Sequence, residues 1–551
     1  MVMQQEPSVC IIGAGPVGLS LALRLSDHGI AAVLVDENPA LKQEGSKACL
    51  IQGDALEILD KAGCAAQIHA EGIAWKYSNV YIRGTRIAHS PYQLPNRYGP
   101  FVNISQYRIE QILLAEIARR PNIRVAWSTH VEKLEQVGDR VVVTARQGDR
   151  TLRQEYAYAV ACNGQRSNLR AATGVAWLGY RHSARFLITD IKAKLPLVKE
   201  RHFHFDPAFN RGYQVIIHPQ PDDVWRIDWQ LPPDVDVEAD RANGNLERRI
   251  RSVIGDIPFS LEWMSVYRFQ QRIAERFVNG RVIFAGDAAH ALPPYGSRGM
   301  NSGIQDADNL AWKLALVLQG HADPLLLDTY HGERAAAARE NIAVTEQTIR
   351  FMVPSNPFVK LRRGLLFMLA RRFPRFRKHV NSGKMAQPHR YVDSPLVQPP
   401  ARAAIVGRFA PDAAIELEDR GALKLRELLG RGFTFVYVGA GMPPVLPPAQ
   451  LLQTPLGRLP TSALVIDIDA DRGPAAPPPA PIEWATARAE ALAEWQSGLW
   501  HLVRPDMHIA GVFDFQSPTQ FAAALRDFSL ARPQGAASAE ISPPLPASVA
   551  A

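Results

Sequence analysis

The stretch VCIIGAGPVGLSLALRLSDHGIAAVLVD, Val9 to Asp36, decides the fold. Ser8–Gly13 reads as a buried strand, Pro16–His28 as a helix and Ala31–Asp36 as a second strand, a βαβ opening. Gly13, Gly15 and Gly18 form G-x-G-x-x-G at the turn between strand and helix. The first glycine permits the tight turn, the second lets backbone approach a pyrophosphate, and the third lets helix and sheet pack closely. Pro16 opens the helix, whose free amides and positive dipole end suit phosphates. Asp36 closes the next strand about 20 residues on, placed for ribose hydroxyls, with Glu37 beside it. The pattern specifies a dinucleotide without distinguishing FAD from NAD.

A second stretch narrows the choice. RVIFAGD (Arg281–Asp287) reads as a buried strand that delivers Asp287 at its C-terminal end, after Gly286. The loop Pro293-Pro294-Tyr295-Gly296-Ser297-Arg298-Gly299 lets backbone approach a flat ligand, and a helix from Met300 or Asn301 runs through Leu318. Its N-terminus aims positive dipole at a developing anion, which a reduced flavin carries.

Composition sets the frame around these motifs. At 551 residues, 47% hydrophobic and 21% charged, the chain is ordinary globular protein of two to four domains, which excludes collagen-like, coiled-coil and disordered classes. Cys10, Cys49, Cys64 and Cys162 form no CxxC pair, so no disulfide framework or cysteine zinc site is expected, no metal site is assigned, and a reducing cytoplasm fits. The apolar run Val9–Leu25 is interrupted by glycines and lacks a basic leader, so neither a signal peptide nor an integral membrane segment is expected. Net charge is +8, concentrated at Leu361–Val380. Such a basic helix can lie on a membrane surface or touch nucleic acid; a solvated face is the expected reading, with no nucleic-acid partner.

Further along, Ile109–Arg119 reads as a helix, and Arg140–Ala145 and Tyr156–Cys162 as strands. Tyr213–Leu231 reads as an antiparallel hairpin around Pro219–Asp223. From about Ser394 a small α/β unit is expected: helix Leu423–Leu429, strands Phe433–Val438 and Leu464–Ile468, helix Trp484–Trp495, and two strands flanking Arg504-Pro505-Asp506. The tail from Pro533 has a composition expected of disorder.

With both motifs in hand, and with the collinear segments EGSKACLIQGDALEIL and NISQYRIE, the sequence resembles the single-component (class A) FAD-dependent aromatic hydroxylases of the p-hydroxybenzoate hydroxylase fold. It is most similar to the 3-(3-hydroxyphenyl)propionate hydroxylase-like branch with a thioredoxin-like C-terminal domain. The resemblance implies an α/β (overall α+β) architecture. A Rossmann-like FAD-binding domain would comprise 1–75, 104–180 and 276–350, with an inserted antiparallel-sheet substrate domain over 76–103 and 181–275. A basic helical linker would cover 351–394, a thioredoxin-like domain 395–532, and a disordered tail 533–551. Without cysteine, that third domain cannot exchange disulfides, which leaves a structural role or a homodimer interface.

The resemblance also assigns residues. Asp36 would hold the adenosine ribose, Lys47 would stand near the FAD phosphates where the family carries Arg, and Gln106 would lie beside the FAD. Asp287 would bind the ribitol and phosphate region. Pro294, Gly299, Met300 and Asn301 would line the isoalloxazine, with Arg298 placing a positive charge close by. Asn163-Gly164 stands where the family carries Asp-Gly; Asn keeps hydrogen-bonding capacity and drops the charge.

The reaction implied uses NADPH or NADH to reduce FAD, which captures O2 as a C4a-hydroperoxide and hydroxylates an electron-rich small aromatic substrate. The alternation of Val224–Leu231 puts Arg226, Asp228 and Gln230 on one face, and Trp225, Ile227 and Trp229 on the other. Arg226, Asp228, His218 and Tyr295 are therefore the candidate substrate contacts, with His204 and Tyr213 behind them and His290 in a packing role. A halogenase or reductase on the same fold, or a non-catalytic flavin-binding partner protein, are the alternatives. The tryptophans of VWRIDWQLP lack the halogenase spacing WxWxIP.

Overall fold

The computed structural model describes residues 6–42, 48–92, 96–232, 235–353, 356–380, 385, 387–398, 404–448, 461–468 and 481–529. Lys47 and the tail from 533 lie outside them.

The opening motif forms as read. Val9–Ile12 and Ala32–Val35 are parallel neighbours bridged by the helix Pro16–Asp27. They sit in a six-stranded sheet ordered Val278–Asn279, Val282–Phe284, Tyr158–Ala161, Val9–Ile12, Ala32–Val35, Ile123–Ala126. All pairings are parallel except the first, so both faces need helices, and the four inner strands are continuous, fully buried runs accordingly. The helices Pro16–Asp27 and Arg298–Leu318 pack on each other over this sheet, within one buried cluster. The second helix begins two residues before the earliest predicted start.

An eight-stranded sheet stands apart. Its order is His290–Ala291, Ser260–Ala274, Trp177–Lys192, Val224–Leu231, Gln214–Pro219, Arg201–Phe205, Tyr77–Ile82, Thr85–Pro91. The expected hairpin is its centre, Gln214–Pro219 antiparallel to Val224–Leu231. Trp177–Lys192 runs unbroken through the border expected at 180, because it pairs along most of its length with Ser260–Ala274. One face buries Trp225, Ile227 and Trp229 against the helices Val237–Ala242 and Asn245–Ile254. The other face looks back at the FAD-type motifs.

The third unit holds a seven-stranded mixed sheet in which Phe433–Gly439, Thr461–Asp467 and Glu483–Thr486 run parallel. Two predicted helices are corrected here. Leu423–Leu429 splits into the end of the strand Gly421–Lys424 and a single 3-10 turn. Trp484–Trp495 splits into the strand Glu483–Thr486 and a 3-10 turn at Ala489–Leu492. In both, helix-forming side chains are overruled by ladder pairing to Ala414–Leu417. The basic segment forms the helix Pro357–Arg372 followed by a 3-10 run, Pro374–His379.

Candidate active site

A cavity of about 730 Å3 runs from Asp36 and Glu37, past Gly13–Val17 and Cys162–Arg166, to the loop Pro294–Met300 and the polar face of the eight-stranded sheet. Both sequence motifs and the substrate candidates therefore line one continuous space.

The dinucleotide end is built from backbone. Gly13 has φ +109°, and a Cβ there would lie 2.8 Å from the Cys162 carbonyl oxygen. A Cβ at Gly18 would collide with the Gly13 carbonyl oxygen at 2.0 Å, whereas one at Gly15 would meet nothing within 4 Å. Thus Gly13 and Gly18 are packing glycines and Gly15 faces the opening. No side chain caps the helix at Gly15, which leaves its first amides turned to the cavity. The Asp36 carboxylate accepts from the Ala14 amide (2.7 Å) and from Asn38, fixing the acid at the rim. Glu37 is paired with His130 at 2.9 Å on the surface. Gln106 lines the cavity, donates to Glu110 and accepts from the Ala48 amide.

The second motif is wedged against the first. Gly286 has φ +58°, and a Cβ on it would sit 2.8 Å from Val17 of the glycine-motif helix. Asp306, fully buried, anchors this turn: one oxygen accepts from the Gly286 amide (3.0 Å) and pairs with His290 (2.7 Å), and the other accepts from Arg334 (2.6 Å). His290 therefore packs beneath the loop, as expected. Asp287 reaches the cavity wall together with Pro294, Gly299 and Met300. Ser297, at φ 52°, opens the helix Arg298–Leu318 without a side-chain cap, so these amides too point at the cavity. Arg298 bonds Asn341, and burial brings its basicity down to about 10.

Asn301 departs from expectation. Its oxygen accepts from the Gln52 amide (2.8 Å) and its nitrogen donates to Ser297 and Leu50, so it clips the strand Leu50–Gln52 to the helix and does not line the cavity.

The residues present fit a bound FAD. Asn163 and Gln165 each hold a buried side-chain oxygen with no hydrogen-bond partner, and both line the middle of the cavity. Buried polar atoms are ordinarily paired, and these two face a cavity in which a ligand could supply the partner.

At the far end, cross-strand register sets out rows on the sheet face. His218, Arg226, Asp190 and Trp263 form one row, and Ile216, Asp228, Ile188 and Ser265 the next. Arg226 is bidentate to Asp190 (2.8 and 2.7 Å). Asp228 sits between two isoleucines, partly open to the cavity, with its Oδ1 buried and unpartnered. Loss of water raises its pKa to about 7, with Arg226 opposing and Asp190 adding to the rise. Burial, then Arg201 and Arg226, holds His218 neutral, and its Nδ1 is unpartnered. The Tyr295 oxygen accepts from Gln214 (2.7 Å). His204 instead stacks on Tyr81. Sequence reading missed Arg201, Asp190, Trp263, Ser265 and Tyr267. The period-2 pattern of 186–190 and 263–267 was the available signal.

A glycine turn and a Gly-Asp loop wedged together, opening onto a buried polar sheet face, define a dinucleotide-dependent flavoprotein. A sequence profile described as an FAD binding domain matches residues 6–345, and the chain belongs to that family. A 3-(3-hydroxy-phenyl)propionate/3-hydroxycinnamic acid hydroxylase of Mycobacterium sp. (strain JLS) is 29% identical over 435 residues, 78% of this chain and 75% of the relative. A 6-methylpretetramide 4-monooxygenase of Streptomyces rimosus is 31% identical over 405 residues, 71% of each chain. Among solved structures, the flavin-dependent monooxygenase PieE, in complex with FAD and substrate, has the same fold at TM-score 0.75 and 22% identity, over 95% of this chain and 99% of that one. The resemblance to the FAD-dependent aromatic hydroxylases is borne out: the chain matches the FAD binding domain, and the two relatives named are a hydroxylase and a monooxygenase.

Proposed function

We propose that the chain hydroxylates a phenolic or heteroaromatic ring, using FAD as resident cofactor with NADH or NADPH and O2 as co-substrates. One observation carries the reading: the FAD-type motifs and a largely buried sheet face, on which the Asp228 Oδ1 has no hydrogen-bond partner, line the same cavity. FAD, when bound, supplies electron storage and oxygen activation.

The protein's share is binding, orientation and proton handling. The amides of Gly15 and Val17 would hold the pyrophosphate, with Pro16 between them carrying no N–H, Asp36 the ribose, and Asp287 the ribitol side. The uncapped amides at Arg298–Met300 offset negative charge on the ring system. Ile188, Ile216, Phe186 and Tyr267 exclude water from the substrate space. We assign Asp228 as the group that takes the phenol proton, at its unpartnered oxygen. A pKa of about 7 lets it ionise at neutral pH yet remain basic enough to pull. The Arg226–Asp190 pair fixes the row beside it, and neutral His218 offers a hydrogen bond to the ring's polar substituent. The lining suits a flavin and a ring; Asn163 is the one residue that favours the non-catalytic reading, and the tryptophan spacing of VWRIDWQLP speaks against a halogenase. Four unpaired cysteines fit the cytoplasm.

The test is a panel of phenols and hydroxylated heteroaromatics assayed for NADH and NADPH consumption under 18O2. Ring-stimulated consumption with one labelled oxygen in the product is expected. Consumption that yields only peroxide with every ring would overturn the proposal.

A further inference from the structure

The helix Pro357–Arg372 turns its apolar stripe the wrong way for a soluble surface. Its inner side is fixed to the body: Phe367 and Ala370 are buried, the Phe367 ring lies 5.1 Å from that of Phe205, and Arg363 donates to the Met352 carbonyl (2.6 Å). The opposite side carries Phe358, Leu361, Leu365 and Met368, which are 64%, 71%, 51% and 57% exposed. Spaced i, i+3, i+7, i+10, they form a single stripe, which Phe373 extends beyond the helix end. Water is a poor neighbour for four large apolar side chains in a row.

Charge selects the occupant. Between 357 and 380 stand Lys360, Arg362, Arg363, Arg371, Arg372, Arg375, Arg377 and Lys378, and neither Asp nor Glu. A second copy would bring the same all-cationic segment against itself. The chain's own terminal stretch, 533–551, offers one acid, Glu540. An anionic lipid surface complements both the apolar stripe and its basic flanks. No described helix is long and apolar enough to cross a membrane, so the contact is peripheral.

We propose that this helix docks the protein on a bilayer surface rich in anionic lipid, the stripe entering the acyl boundary and the exposed Arg362, Arg371, Arg372 and Arg375 meeting headgroups. The helix's inner face shares a cluster with Ile216 and Tyr295 of the cavity wall, so docking sets the bilayer one packing layer from the site.

The test sediments the full FAD-loaded chain with phosphatidylcholine vesicles, with and without phosphatidylglycerol, at low and high salt. Binding that requires phosphatidylglycerol and is released by salt is expected. A Leu361→Glu, Leu365→Glu double variant should bind about tenfold more weakly, and Arg371→Gln, Arg375→Gln should also weaken binding. All four positions are exposed, so flavin content and thermal midpoint should stay unchanged, which separates lost docking from lost folding. Absence of binding to either vesicle, or binding unaltered in both variants, would overturn the proposal. So would a solution dimer that the leucine variant splits, since the stripe would then be a subunit interface.

Discussion

Two regions of this molecule bury polar groups, and they treat them in opposite ways. Where the third unit meets the long helices, the described charges gathered around Glu333 are all paired. Arg504 is bidentate to Glu333 (2.6 and 2.9 Å) and also bonds Asp506, while Lys313, Asn309 and Ser394 donate to Glu333 as well. Tyr391 joins this cluster to Arg334 and so to Asp306 beneath the Gly-Asp turn. In the cavity, by contrast, Asn163, Gln165, His218 and Asp228 each keep a buried atom unpartnered. Both regions bury polar side chains, so burial alone does not make the difference. A satisfied network is architecture; an unsatisfied one, in a cavity, is a place kept for a ligand.

The comparison can be broken by mutation, with effects of falling size. Arg504→Met leaves Glu333 and Asp506 buried beside too little positive charge, and should cost about 3–5 kcal/mol in denaturant unfolding. If that variant is as stable as the parent, the paired region is not architectural. Asp287→Ala should purify largely free of flavin absorbance while keeping its far-ultraviolet circular dichroism. Full retention of FAD would show that the Gly-Asp loop does not hold it.

Asp228→Asn should lower kcat by about 100-fold with FAD content unchanged. In the parent, kcat should rise with pH through about 7 and then level, and the variant should lack that limb. Stability has the opposite slope. The folded Asp228 carboxyl binds its proton more tightly than the unfolded one, so its contribution is whole below the usual carboxylate range and is lost as pH rises to about 7. The variant should therefore be the more stable of the two at pH 8 and gain little at pH 4, as read by thermal unfolding. The smallest effect is expected at Asn163→Ala, which removes one ligand hydrogen bond and should weaken FAD about fivefold, about 1 kcal/mol, in a fluorescence titration of the stripped protein.

How much of this could be read from sequence depended on how local the cause was. Gly13, Gly15, Gly18 and Asp36 announce a dinucleotide because the turn, the helix start and the strand end all lie within 28 residues. The polar face of Val224–Leu231 was legible for the same reason, from alternation alone. Asp190 and Trp263 show in the sequence only as alternation within their own strands, and it takes the register of three strands to bring them to Arg226. The Arg504–Glu333 pair spans 171 residues and leaves no local trace. Asn301 carried a family role in the sequence, yet its amide is consumed by Leu50, Gln52 and Ser297. In the third unit, Leu423–Leu429 and Trp484–Trp495 have helical composition, but partner strands distant in sequence decide their form.

One measurement reaches the centre of the account: a crystal structure with FAD and a phenolic substrate bound. It should show the Asn163 side-chain oxygen bonded to the cofactor and Asp228 Oδ1 within hydrogen-bond distance of the ring hydroxyl, with the Glu333–Arg504–Asp506 cluster unmoved. If those two oxygens remain without partners while flavin and ring occupy the cavity, their isolation is not a mark of ligand binding and the reading fails.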